Sequence, residues 1–110
     1  MSTVIGKAIQ IKGEVQGEED LVIEGKVEGT ILLRKNHLIL EHSAVITADV
    51  EVENITIKGR IDGNTSASNK VEITSEAKVI GDIKAPRVEM SEGAKFKGAV
   101  EMEVKLPPGV

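Results

Sequence analysis

The sequence predicts an all-β protein: a three-sided parallel β-helix solenoid of five to six rungs, each of about 17 residues. Three observations carry that prediction. The apolar residues are nearly all aliphatic and β-branched, a short strand-like pattern recurs along the chain, and its recurrences are evenly spaced. Valine and isoleucine number 13 each against 6 leucines, with one Phe and no Trp or Tyr in 110 residues. Side chains with a stiff χ1 pack well on a pleated surface and favour strands over helices. A sandwich usually fills the space between its sheets with aromatic rings. Here a narrower space must be filled by groups of aliphatic size.

The pattern reads IQIKGEVQG from Ile9, LVIEGKVEG from Leu21 and ITIKGRIDG from Ile55. Three variants have a filled corner: LILEHSAVITADV from Leu38, VEITSEAKVIGDI from Val71 and VEMSEGAKFKGAV from Val88. Taken as equivalent starts, Leu21, Leu38, Ile55, Val71 and Val88 are 17, 17, 16 and 17 residues apart. The first strand of each unit alternates, with these starts and then Ile23, Leu40, Ile57, Ile73 and Met90 inside. A corner follows at Gly25, His42, Gly59, Ser75 and Glu92. There Gly tolerates the positive φ that a tight corner often needs, and small polar residues replace it.

Beyond the corner, a constant offset from each start aligns Val27, Ala44, Ile61, Ala77 and Ala94, then Gly29, Ile46, Gly63, Val79 and Phe96. A third strand aligns Leu33, Val50, Ala67, Ile83 and Val100. The columns of odd offset between them are mostly polar and face out. No unit holds the long apolar stripe at helical spacing that an α-helix needs. The expected organisation is a short N-terminal tail and the start of the first rung in residues 1–8, the β-helix in 9–104 and a Pro-containing tail in 105–110.

Composition excludes several functional classes. No apolar run approaches the length of a membrane-spanning helix, and MSTVIGK does not read as a secretory signal. Without Cys there is no disulfide framework or thiolate zinc site. A formal net charge of −4 and a single aromatic argue against nucleic acid as the main partner. Nothing matches a phosphate-binding loop, and no cofactor is expected.

With the repeats laid out, the chain resembles the bactofilins, bacterial cytoskeletal proteins. The resemblance rests on VIGKAIQIKGEVQGEEDLVIEGKVEGTI at residues 4–31, IKGRIDGN at 57–64 and VIGDIKAPRVEMSEGAKFKGAV at 79–100, and it covers nearly the whole chain. It implies a right-handed β-helix that joins end to end into symmetric filaments without nucleotide, in the cytoplasm or at the inner face of the cell membrane. It also implies a scaffold role in cell shape or in localising other proteins, with cell-wall or partition proteins as candidate partners. Members often carry a membrane-targeting segment in an N-terminal tail. Here the pattern starts near Val4, which makes membrane attachment doubtful.

A β-helix protects its flanks but leaves unpaired backbone and an open aliphatic core at each end. The expected polymerisation interface is therefore the two terminal rungs: Ile9, Ile11 and Val15 at one end, and Phe96, Val100, Met102 and Val104 at the other. Phe96 is expected to fill the terminal contact, with packing on Val79 inside the rod as the alternative. His37, His42 and Glu41 could suggest a metal or a general base, and Glu18, Glu19 and Asp20 a cation site. Both groups read better as solvated corners, with His37 in the turn before a rung. The competing function is a hexapeptide-repeat-like acyltransferase, because Ile55, Ile61, Ala67, Ile73, Val79 and Ala85 keep a six-residue period. The 17-residue repeat and the lack of a substrate domain disfavour it. An ice-binding or carbohydrate-binding surface would need a threonine ladder or an aromatic strip, and neither is present.

Overall fold

The computed structural model describes residues 2–102, with the side chains of residues 2, 3, 34 and 102 outside the description. Twelve strands follow one another without a helix among the described residues: β1 (Ser2–Ile5), β2 (Gln10–Gln16), β3 (Asp20–Ile23), β4 (Lys26–Leu40), β5 (Val45–Ile57), β6 (Arg60–Asp62), β7 (Thr65–Ile73), β8 (Lys78–Ile80), β9 (Ile83–Ala85), β10 (Arg87–Met90), β11 (Lys95–Lys97) and β12 (Val100–Met102). Each strand pairs in parallel with strands of the rung above or below it, and no pair is antiparallel among the described residues. That is the topology of a coil wound about one axis.

The register bears out the starts read from the repeat. Leu21 lies opposite Leu38, Leu38 opposite Ile55, Ile55 opposite Val71 and Val71 opposite Val88. One further rung precedes them, because Thr3 pairs with Leu21. The solenoid therefore has six rungs, and its first strand begins at Ser2, within the segment expected to hold a tail and the start of the first rung. Inside, Ile23, Leu40, Ile57 and Ile73 stack with no exposed surface. Period-2 burial runs through β5 without a break from Val45 to Val52.

Past the first corner the expected columns need correction. The structure stacks Val27, Ile46, Ile61, Val79 and Phe96, so the five residues belong to one ladder rather than two. Likewise Val50 stacks on Thr65 and Thr65 on Ile83, while Leu33 lies opposite Val52. The cause is a corner of two lengths. Glu24–Gly25 and Lys58–Gly59 make two-residue corners, whereas 6–9, 41–44, 74–77 and 91–94 make four-residue turns. In each four-residue turn the last N–H donates to the first carbonyl, as from Ala44 to Glu41 at 2.9 Å. A slip of two residues leaves inside and outside unchanged, so alternation alone cannot reveal it. The third corner restores the period, with register shifts between Leu33 and His37 and between Val52 and Asn54.

The role assigned to the corner glycines also changes. Gly25 and Gly59 do not adopt a positive φ. They are small because the four-residue turn of the rung before lies against them. A β-carbon on Gly25 would sit 2.3 Å from the Ile9 carbonyl oxygen, and one on Gly59 would sit 2.4 Å from that of Glu41. Apart from Gly93, which lies in the 91–94 turn, the positive-φ glycines form a separate ladder at the second corner, with Gly13, Gly29, Gly63, Gly81 and Gly98 in five rungs and Ala48 in the sixth.

Candidate self-assembly interface

Each end of the coil is a row of strands paired on one side. Among the described residues, β1 of the first rung pairs only with β3 and β2 only with β4, and in the last rung β10, β11 and β12 pair only with β7, β8 and β9. The terminal side chains continue buried ladders. Ile11 lies over Val27 and Val15 over Ile31, and both are half-buried where their partners are fully covered. Ile9 ends a four-residue corner at the place held by the buried Ala44 and Ala77, and it is 47% exposed.

At the other end Phe96, in the last rung, lies over Val79 and is half-buried. Val100 continues the Ile83 ladder and is 42% exposed. Met102 pairs through its backbone with Ala85. Its side chain and the whole of Val104 lie outside the described residues. Two apolar positions of the last rung were not among the expected interface residues. Met90 stands over the fully buried Ile73 yet is 47% exposed, and Val88 is half-buried over Val71. Their place in the last unit of the repeat was the signal that could have identified them.

A family model described as "Bactofilin: Polymer-forming cytoskeletal" matches residues 3–101. The chain belongs to the bactofilin family. Among curated relatives it is similar to bactofilin BacO of Myxococcus xanthus, at 51% identity over 104 residues, covering 94% of this chain and 82% of BacO. Bactofilin BacN of the same organism is 52% identical over 107 residues, covering 97% and 94% of the two chains. Bactofilin BacP is 45% identical over 101 residues, which is 92% of this chain but 42% of BacP. No solved structure matches the chain.

The polar groups of this bactofilin serve its corners. His37 lies within β4, not in a turn, and is half-buried with its Nε2 2.9 Å from Thr56 Oγ1 on the next rung. Its backbone N–H donates to Asp20 Oδ1 at 2.9 Å. That bond holds the Asp20 carboxyl below its ordinary value against an opposing effect of desolvation, and the Asn36 amide adds to the lowering. Asn36 also donates to the Glu18 carbonyl, at 3.1 Å, so the acidic run is tied to the corner of the next rung. His42 is exposed on a four-residue turn, and beside it Glu41 lies 3.9 Å from Lys58. Among the described residues no three His, Asp or Glu side chains come together as a metal site, and no helix is long and apolar enough to cross a membrane.

Proposed function

We propose that this bactofilin is a scaffold whose subunits join end to end through their terminal rungs into filaments that need no nucleotide. Such filaments would serve cell shape or the placement of other proteins, with cell-wall or partition proteins docking on the outer faces. The observation that carries the reading is the pairing of features at both ends. One-sided backbone edges coincide there with half-exposed residues that extend fully buried ladders. An added rung would satisfy the backbone groups and cover the aliphatic columns at once. If each end buries a few hundred Å², at about 25 cal/mol/Å² the contact yields several kcal/mol before association costs.

Phe96→Arg tests this. A guanidinium in the Val79 ladder at the open end leaves the inner rungs intact but places a charge in the contact. The variant is expected to keep its β circular-dichroism spectrum, sediment as single subunits and show no filaments by negative stain. Phe96→Leu, which restores an aliphatic group, should retain filaments. Normal filaments from folded Phe96→Arg would remove the last rung from the contact.

A further inference from the structure

The formal charge is −4, yet cations gather on one stretch of surface beyond the first corner. Arg60, Lys78 and Lys95 stack in one outward column over the last three rungs. Two residues along each strand, the next outward column runs Asp62, Ile80 and Lys97. Between the columns lies a trough of about 320 Å³, lined by Arg60, Lys78 and Lys95 on one side and by Ile80 and Lys97 on the other. Its floor is Val79 and Phe96, whose side chains belong to the inner ladder. All four cations are exposed, and none forms an ion pair among the described residues. By contrast, Lys58 lies 3.9 Å from Glu41 and Lys70 lies 3.1 Å from Glu89.

We propose that this trough docks an extended acidic segment of a partner protein, with carboxylates on the four cations and an apolar side chain against Ile80. Four unpaired positive charges around a half-buried Ile80 call for both kinds of group in one ligand. The dimensions suit a single extended chain. Columns two residues apart along a strand are separated by about 6.6 Å, and three rungs span about 9.6 Å. One exposed pair contributes little, so several carboxylates must act together.

The borders of the trough are acidic. Asp62 stands at its inner end, Glu76 and Glu92 on the turns that precede Lys78 and Lys95, and Asp82 just beyond Ile80, all exposed. A bilayer or a double helix laid on this face would press on those carboxylates, whereas one strand of peptide passes between them. A nucleic acid single strand would find no ring to stack on, because Phe96 is the sole Phe, Trp or Tyr and belongs to the inner ladder. Polyphosphate carries no apolar group for Ile80. The proposal rests on the scaffold reading, in which other proteins dock on the outer faces.

The experiment uses the whole chain and a fluorescein-labelled octapeptide of six Glu and two Leu. Binding is read by fluorescence anisotropy at about 0.1 M salt, where screening acts over about 10 Å. The peptide should bind, and Arg60→Glu/Lys78→Glu should weaken it about tenfold. Both positions lie before the last rung, so that variant is expected to keep its β circular-dichroism spectrum and its filaments by negative stain. Lys12→Glu/Lys26→Glu makes the same change of charge at the other end of the rod and should weaken binding less than about twofold.

The proposal falls if both double variants weaken the peptide equally, which would mean attraction to net charge alone. It also falls if polyphosphate, single-stranded DNA or vesicles of phosphatidylglycerol bind more tightly at equal charge. Wild-type filaments that take up no peptide would sink the trough and leave the end-to-end reading standing. Folded single subunits that bind the peptide but form no filaments would uphold the trough and sink that reading instead.

Discussion

Thr65 is the single buried polar side chain among the described residues, 2% exposed in the ladder between Val50 and Ile83. Its Oγ1 has no hydrogen-bond partner there. An unsatisfied hydroxyl in an aliphatic column costs its desolvation with nothing returned. Thr65→Val keeps the shape and removes that cost. It is expected to stabilise the fold by about 1 kcal/mol, a rise in Tm of roughly 4–8 °C. A lower Tm by thermal circular dichroism would mean that the hydroxyl finds a partner or a water. Thr56, one rung face away, shows the opposite case. It points outward, and its Oγ1 is held by His37. Whether a threonine in this chain is buried follows from parity along the strand, which the sequence displays. Its partner, 19 residues away, depends on how two rungs stack.

At the scale of the element, the corners decide more than the strands. The strands needed only alternating aliphatic residues, and the burial of β5 matches that alternation from Val45 to Val52. Corner length was not legible in the same way. Gly25 and Gly59 look like turn glycines, but their φ is ordinary and the constraint is the carbonyl of the rung before. Gly59→Ala would bring a β-carbon within 2.4 Å of the Glu41 oxygen and 2.7 Å of the Ala44 oxygen. Both are backbone atoms that cannot swing aside, so a loss of about 1–3 kcal/mol is expected, as for other overpacked sites. The control is His42→Ala on the four-residue turn, exposed and expected to change stability by less than about 0.5 kcal/mol. Equal urea midpoints for the two variants would show that Gly59 is not needed for close approach. The glycine ladder at the second corner escaped the sequence alignment because Gly29 and Gly63 fell into a column with Ile46, Val79 and Phe96, whereas Gly81 and Gly98 fell two residues further on.

For the whole molecule, the consequence of stacking is that a coil closes its sides and never its ends. The proposed assembly through aliphatic ends would be driven by water release, which weakens on cooling. Filaments at fixed protein concentration and high salt should therefore pellet less at about 5 °C than at about 30 °C. More complete assembly in the cold would indicate a contact dominated by hydrogen bonds or charge. The sequence by itself determined the fold class, the number of residues per rung and which residues face inward, because all three are properties of period and parity along one chain. It also marked Phe96 and the terminal rungs as apolar, since the last unit of the repeat carries the same inward pattern as the others. Only the tertiary structure decided which residues lie above one another past the first corner and why Gly25 and Gly59 must be small. Those depend on the offset between rungs, which a two-residue change in corner length alters without disturbing the alternation that a sequence can show.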